Sequence, residues 1–143
     1  MLRSVKVRDH MIRRPVLVHP ETELFEAIHQ ILRHKISGVT VIDENRKTVG
    51  MLSELDCLKA ILSATYYQEE VGTIPVSDHM SPNVECVSAD EDIILVAQSM
   101  LEHKHRRRPV VDDHGHIIGQ LTCRGILKAV KDFDVPKRYF EGR

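Results

Sequence analysis

The chain has 143 residues, of which 42% are apolar and 29% are charged. This length and composition suit one globular domain that buries a core without disulfide or metal staples, and they exclude a disordered chain. The formal net charge of -1 excludes a general attraction to nucleic acid or to anionic membranes, so a charge-based function requires a local cluster.

The amino-terminal segment is interrupted by charge every few residues, and no apolar run approaches the roughly 18 to 20 residues that span a bilayer. Cys57, Cys86 and Cys123 are odd in number and widely spaced, which predicts neither a disulfide framework nor a cysteine zinc site. We therefore expect a soluble, unexported protein of the reducing cytoplasm that has no membrane contact.

The first half of the chain predicts the order β-α-β-β-α. A short β-prone run at 16–18 is followed by an acidic helix start and by an apolar stripe of helical period. Two strands follow at 39–42 and 48–52, joined by a polar turn. A second helix closes the unit, and its apolar residues are expected to face inward: Leu55, Leu58, Ile61 and Leu62.

The second half repeats this order. A shift of 69 residues aligns 7–61 with 76–130 without a gap, and fifteen aligned positions are identical. Such a match indicates one structural unit that was duplicated. In the second copy the β-prone run lies at 84–87 and the strands at 109–111 and 117–121. The closing-helix residues expected to face inward are Ile126, Leu127 and Val130.

The duplication predicts an α/β fold of the α+β type. Two β-α-β-β-α repeats are expected to pack about a pseudo-twofold axis, because each repeat alone would leave an apolar face uncovered. The predicted boundaries are 1–65 for the first repeat, 66–75 for a linker, and 76–143 for the second repeat with a C-terminal tail.

This duplicated order resembles the tandem cystathionine-beta-synthase (CBS) domain pair, also called a Bateman module, over nearly the whole chain. Two stretches carry the resemblance. Residues 50–56, Gly-Met-Leu-Ser-Glu-Leu-Asp, are similar to the family's ribose-binding Gly-x-x-(Ser/Thr)-x-x-Asp motif. Residues 106–112, Arg-Arg-Arg-Pro-Val-Val-Asp, are similar to its phosphate-facing segment before a Pro-Val-Val-Asp strand.

The resemblance implies a regulatory module that binds an adenine nucleotide in a cleft between the repeats. In the family, one cleft combines the Ser/Thr-x-x-Asp of one repeat with the first strand and the pre-proline segment of the other. A carboxylate there accepts the ribose hydroxyls, and guanidiniums bind phosphate oxygens bidentately. Carried over residue by residue, the resemblance implies this site: Met51, Ser53, Asp56, Ser81, Val84, Glu85, His105, Arg106 and Arg107.

A second cleft departs from the family pattern. Gly125 replaces the ribose-binding aspartate, and the segment that corresponds to the arginines has no cation. We therefore expect one nucleotide per chain as a regulatory ligand, with AMP, ADP or ATP favoured over S-adenosylmethionine, and no catalytic cofactor. The degenerate second site would be lined by Arg13, Val16, Ser37, Gly38 and Thr122.

The same residues allow other interpretations. Ser53 and Asp56 also fit a helix capping box, and the two roles can coexist. The basic run 103–108 also fits a solvated surface or a polyanion patch, although the lack of interleaved aromatic residues disfavours nucleic acid. The histidines lack the spacing of a metal site, so no metal is predicted.

No catalysis is expected, because the sequence has no Walker glycine-rich loop, no Gly-x-Ser-x-Gly elbow and no His-Glu-x-x-His. Cys57 is expected to lie in the core rather than to act as a nucleophile. The resemblance further implies a homodimer built from helix faces and a protein target that the sequence does not name. The alternative from another class is a non-binding dimerisation or docking scaffold that contacts a protein or RNA through Arg106–Arg108.

Overall fold

A computed structural model describes residues 4–133, and residues 1–3 and 134–143 lie outside the described part. The predicted C-terminal tail therefore lies largely outside the described residues. Within 4–133 the chain forms two three-stranded sheets and four α-helices, in the order β-α-β-β-α taken twice. This arrangement confirms the predicted α+β fold.

The first repeat contains β1 (Leu17–Val18), α1 (Leu24–His34), β2 (Gly38–Ile42), β3 (Thr48–Ser53) and α2 (Glu54–Tyr66). The second repeat contains β4 (Val87–Ser88), α3 (Ile93–His103), β5 (Arg107–Val111), β6 (Ile117–Thr122) and α4 (Cys123–Lys131). A short 3-10 helix precedes each repeat, at Val7–Asp9 and at Val76–Asp78. The strand predicted at 84–87 is shorter than expected, since β4 begins only at its last residue.

The two sheets share one topology. In the first sheet β2 is central, with β1 parallel to it on one side and β3 antiparallel on the other. In the second sheet β4 runs parallel to the central β5, and β6 lies on the other side. Every residue of β2 is buried, which accounts for a run of five residues without a charge.

The described residues divide into two compact units that do not coincide with the two halves of the chain. The repeat-1 unit comprises 15–85 and 113–117, and the repeat-2 unit comprises 4–14, 86–112 and 118–133. Segment 76–85, from the start of the second repeat, therefore belongs to the repeat-1 unit. This exchange places residues from both repeats in one unit.

Each unit has its own apolar core, built from positions that the 69-residue shift relates. Val41 and Leu52 are fully buried in the repeat-1 unit, and their counterparts Val110 and Leu121 are fully buried in the repeat-2 unit. The agreement at equivalent positions supports the duplication inferred from the sequence. Among residues 4–133, no helix has both the length and the apolarity to cross a membrane.

The prediction of the inward face of α2 is wrong. Leu55, Leu58 and Leu62 are 69%, 55% and 69% exposed, and Ile61 is only half-buried. Small side chains on the inner face allow the helix to lie close to its neighbours, so the leucines point outward. The residues that α2 buries are Cys57, Ala60 and Ala64.

The prediction for α4 is correct at one position and wrong at two. Ile126 is buried as predicted, together with Ala129. Leu127 is 69% exposed and Val130 is 39% exposed. The inner face of α4 is therefore formed by Ile126 and Ala129, while Leu127 and Val130 lie towards the outside.

Thr48 at the start of β3 has a buried hydroxyl with no hydrogen-bond partner among the described residues. Because an unsatisfied buried hydroxyl is destabilising, we expect Thr48→Val to raise the free energy of unfolding by about 1 kcal/mol. Urea denaturation measures the change. The control is Thr40→Val, since the Thr40 hydroxyl donates to Met51 Sδ at 3.3 Å. An equal gain from both substitutions would contradict this explanation.

Candidate functional site

The start of α2 holds the two residues implied to bind ribose. β3 runs directly into α2, and Ser53 is the N-cap residue. The Asp56 backbone N donates to Ser53 Oγ at 3.1 Å, and the Ser53 backbone N donates to Asp56 Oδ2 at 2.9 Å. These reciprocal bonds form a capping box, so the interpretation of the motif as a helix cap is confirmed.

The capping box leaves hydrogen-bonding capacity on both side chains. Asp56 and Ser53 are half-buried. Asp56 Oδ1 makes no hydrogen bond to any group within residues 4–133, and the Ser53 hydroxyl, which accepts in the cap, can still donate its proton. The helix start therefore presents one carboxylate acceptor and one hydroxyl donor to a ligand.

A segment from the second repeat pairs with β3 beside this helix start. The Met51 backbone N donates to the Ser81 carbonyl at 2.9 Å, and the Ser81 backbone N donates to the Met51 carbonyl at 2.8 Å. Met80 packs over Gly50, where an added Cβ would lie 2.4 Å from Met80 Sδ. Glycine at position 50 therefore allows segment 80–85 to approach the outer edge of the sheet.

The repeat-1 unit thus contains six of the nine site residues that the resemblance implies. Met51, Ser53 and Asp56 come from β3 and α2, while Ser81, Val84 and Glu85 come from segment 80–85. In that segment Val84 is half-buried, and its two polar neighbours in the set are exposed. The structure joins Met51 to Ser81 directly through the two backbone hydrogen bonds.

The three residues implied to bind phosphate lie in the repeat-2 unit. Arg106 is exposed, while His105 and Arg107 are half-buried. The Cys123 backbone N donates to the Arg106 carbonyl at 3.0 Å, which attaches the segment before β5 to the start of α4. This attachment holds the backbone of the basic segment in a defined position.

Arg108 is absent from the implied nucleotide site, yet it is 4% exposed at the position that core residue Val39 occupies in the first repeat. Its Nε donates to His105 Nδ1 at 3.2 Å, and its Nη2 lies 3.5 Å from His103 Nδ1. Arg108 therefore orients the imidazole of His105. Comparison of the repeats contains a signal for it, because a charge stands where the other copy has valine.

The residues of the implied degenerate site are divided between the units. Val16 packs against the core of the repeat-1 unit, which also contains Ser37 and the buried Gly38. Arg13 and Thr122 belong to the repeat-2 unit, where Arg13 Nη2 donates to the backbone carbonyl of Arg8 at 3.4 Å.

Thr122 caps α4 much as Ser53 caps α2. Its Oγ1 accepts from the backbone N of Gly125 at 3.0 Å. Gly125 has no carboxylate to complete a capping box or to accept a ribose hydroxyl. The two repeats therefore differ in the cap of their second helix: α2 has a complete capping box, whereas α4 has only the hydroxyl of its N-cap residue.

Comparison with known proteins identifies the family that has this architecture. A sequence model of the CBS domain matches residues 7–63 and again residues 76–132. The chain belongs to the CBS-domain family. The two matches fall on the two repeats, so the implied CBS pair is confirmed.

Relatives of this CBS pair include much longer proteins. Inosine-5'-monophosphate dehydrogenase of Aquifex aeolicus is 35% identical over 128 residues, which cover 88% of this chain and 24% of the relative. The corresponding enzyme of Methanocaldococcus jannaschii is 33% identical over 91% of this chain and 25% of the relative. The chain thus spans about a quarter of the length of these curated relatives.

Solved structures of similar length also resemble this CBS pair. CBSX2 of Arabidopsis thaliana, in complex with AMP, matches with a TM-score of 0.78 and 31% identity, over 90% of this chain and 97% of that one. The CBS domain pair of protein MJ0100, in complex with methylthioadenosine and S-adenosylmethionine, matches with a TM-score of 0.73 and 26% identity. That match covers 87% of this chain and 98% of the other.

The repeat-1 unit of this CBS pair also has a groove of about 390 Å³ between the end of α1 and the start of α2. Ser37, from the implied degenerate site, lines this groove, and its carbonyl accepts from the Glu54 backbone N at 3.0 Å. Lys35 and Glu54 supply one charge of each sign. At the positions equivalent to Ile36 and Ser37 the second repeat has His105 and Arg106, so the groove lacks these two basic side chains.

Cys57 lies on the inner side of α2, one residue beyond Asp56, as the sequence predicts. Burial, with smaller contributions from the negative charges of Asp56 and Glu54, raises the pKa of the Cys57 thiol to about 11. About one thousandth of this thiol is ionised at pH 8, and only the thiolate reacts rapidly. Cys86 and Cys123 are exposed.

We therefore expect a chromogenic disulfide reagent at pH 8 to titrate two thiols rapidly in the native chain. The third thiol should react only after unfolding in urea. A Cys57→Ala variant serves as the control, since its native count should stay at two. Three rapidly reacting thiols in the native wild-type chain would be incompatible with the burial of Cys57.

Proposed function

We propose that this CBS pair is a non-catalytic regulatory module that binds one adenine nucleotide per chain. The observation that carries the proposal is the start of α2. There, with the capping box formed, Asp56 Oδ1 can still accept a hydrogen bond and the Ser53 hydroxyl can still donate one. Two related CBS pairs support the choice of ligand, because CBSX2 is in complex with AMP and the MJ0100 pair with methylthioadenosine and S-adenosylmethionine.

In this proposal each part of the nucleotide has a partner of suitable chemistry. Asp56 accepts hydrogen bonds from the ribose hydroxyls, and Ser53 adds one more. The base lies against apolar surface from Met51 and Val84, near Ser81 and Glu85. The phosphates are bound by His105, Arg106 and Arg107, since guanidinium groups match phosphate oxygens in charge and geometry.

The arginines favour AMP, ADP or ATP over S-adenosylmethionine. Each of the three nucleotides carries phosphate, whereas S-adenosylmethionine carries a positive sulfonium and no phosphate. The second set of residues, around Thr122 and Gly125, lacks the carboxylate for ribose. We therefore infer that the degenerate site does not hold a second nucleotide under conditions that fill the first.

The module would act on a partner through a conformational or oligomeric change. A ligand shifts such an equilibrium only as far as its affinities for the two states differ, so a modest coupling is expected. We include a homodimer in the proposal, because leucines on α2 and α4 are exposed on the outer helix faces. The cytoplasm is the proposed compartment, since it keeps exposed thiols such as Cys86 and Cys123 reduced.

Calorimetric titration of the nucleotide-stripped chain with AMP, ADP, ATP and S-adenosylmethionine tests the proposal. We expect saturable binding of at least one of the three nucleotides, at one per chain, and weaker binding of S-adenosylmethionine. A co-purified nucleotide would be conspicuous at 260 nm, because the chain has no Trp and three Tyr. Absence of binding by all four ligands, with salt-sensitive retention of RNA, would favour the non-binding scaffold instead.

A further inference from the structure

The segment before β5 contains a polar pair of residues that the first repeat lacks. The shift of 69 residues places His105 opposite Ile36, and it places Arg108 opposite Val39. Val39 is fully buried in the core of the repeat-1 unit, and Ile36 packs against that core. Arg108 is also buried, so a guanidinium occupies a position where the same fold accepts an apolar side chain. The fold itself therefore does not require this charge.

The hydrogen bond between the two residues has a fixed direction. A buried guanidinium keeps its charge and all its protons, so it can only donate, and burial is costly unless it does so. Arg108 Nε donates to His105 Nδ1 at 3.2 Å. Both residues belong to the repeat-2 unit, and the bond spans three positions of the segment that connects α3 to β5.

This bond determines which nitrogen of His105 carries the proton. A ring nitrogen that accepts a hydrogen bond has no proton of its own, so the proton lies on Nε2. The two nitrogens point to different sides of the imidazole ring. The N–H of the half-buried His105 side chain is therefore directed away from the buried guanidinium.

A second contact restrains the His105 ring from its face. The ring of His103 lies with its centroid 5.5 Å away and its plane tilted by 32°. His103 is itself fixed, because its Nδ1 lies 2.8 Å from the Ser99 carbonyl oxygen, which can only accept. That nitrogen carries a proton, so the 3.5 Å approach of Arg108 Nη2 to it is a packing contact rather than a hydrogen bond.

We propose that Arg108 is a positioning residue for phosphate recognition, which directs the Nε2–H of His105 at the phosphate of the nucleotide. This role rests on the proposed function, in which His105, Arg106 and Arg107 bind the phosphate, and it adds a residue outside the implied site. A donor that is oriented beforehand loses less conformational freedom when the ligand binds, so it contributes more to affinity. Arg108 acts through His105 and not by contact with the nucleotide.

Two substitutions of similar side-chain length separate the hydrogen bond from the charge. Arg108→Gln keeps an N–H donor at the place of Nε, because three carbons precede the nitrogen in both side chains. Arg108→Met has no donor. Both remove the charge, at a position where the first repeat has a buried valine. Calorimetry should give an AMP affinity about tenfold lower for Arg108→Met than for Arg108→Gln, and equal affinities would overturn the proposal.

The same pair of substitutions in a His105→Ala background tests whether the effect passes through the imidazole. We expect the two double variants to bind AMP equally, because the side chain that Arg108 orients is absent. Adenosine has no phosphate, so its affinity should be the same in wild type, Arg108→Met and Arg108→Gln. A difference between the double variants, or a loss of adenosine affinity that parallels the loss of AMP affinity, would show a general structural effect instead.

Nitrogen-15 spectra of the wild-type histidine rings test the orientation without a substitution at Arg108. At pH 8 we expect His105, assigned by comparison with His105→Ala, to carry its proton on Nε2. A proton on Nδ1 would contradict the donation from Arg108 Nε and overturn the proposal. Absence of AMP binding by the wild-type chain would contradict the proposed function and this role with it, whereas AMP binding without the expected difference between the Arg108 variants would overturn this role alone.

Discussion

Asp56→Asn is expected to weaken AMP binding by about 10- to 150-fold while the chain stays folded. Asparagine keeps a carbonyl oxygen that can accept from the Ser53 backbone N, so α2 retains most of its cap. It loses the negative charge that accepts the ribose hydroxyls. A hydrogen bond to a charged group contributes about 1.5 to 3 kcal/mol, which corresponds to this range of affinity. Calorimetry measures the binding, and urea denaturation measures the stability.

The matched control is Asp92→Asn. Asp92 is the N-cap of α3, and its side chain accepts from the Ile94 backbone N at 2.7 Å. This substitution changes the same chemical group at a helix cap outside the implied site. We expect a stability change similar to that of Asp56→Asn and an unchanged affinity for AMP. Equal losses of affinity in the two variants would remove Asp56 from the site.

Gly38→Ala is expected to lower the free energy of unfolding by about 2 kcal/mol. Gly38 begins β2 and pairs with Ser53 at the end of β3. An added Cβ would lie 2.6 Å from the Leu52 carbonyl oxygen and 3.1 Å from the Ser53 Cα. Both contacts are to backbone, so the two strands must separate where β3 enters α2. Because Ser53 moves with them, AMP affinity should fall as well.

Gly72→Ala is the matched control in the same unit. Its added Cβ would lie 2.7 Å from the Cδ2 atom of Phe25, a largely exposed side chain that can rotate away. We expect a loss below about 1 kcal/mol, because only a side chain has to move. A loss as large as that of Gly38→Ala would show that backbone contact is not the cause.

The order of strands and helices in this CBS pair is predictable because both repeats carry the same sequence pattern. Val41 and Val110, like Leu52 and Leu121, are equivalent in the repeat and fully buried in the structure. A position that is apolar in both repeats indicates burial in the core more reliably than an apolar residue in one repeat alone does. The bounds of strand β4 are harder to predict, because a strand of only two residues contributes little pattern to the sequence.

The orientation of α2 is not predictable from apolarity alone. Its sequence contains a stripe of leucines and a stripe of small residues, and both could face the core. Packing places Cys57, Ala60 and Ala64 inside, because close approach of the helix requires small side chains. Size, rather than hydrophobicity, determines the inner face of α2, and the leucines are left exposed.

In the candidate site, features formed by residues close in the sequence are predictable, whereas features that join distant segments are not. The capping box of Ser53 and Asp56 is predictable because its residues are three apart in the sequence. The packing of Met80 over Gly50 joins distant segments, and only the recurrence of both residues as Met11 and Gly119 hints at it. Binding of nucleotide by these residues stays a prediction.

A crystal structure of the chain grown with AMP tests the central claim most directly. We predict one AMP per chain, with its ribose hydroxyls within hydrogen-bond distance of the Asp56 carboxylate and its phosphate against Arg106 and Arg107. AMP bound beside Thr122 instead, or no AMP at a concentration that saturates binding in solution, would contradict the account.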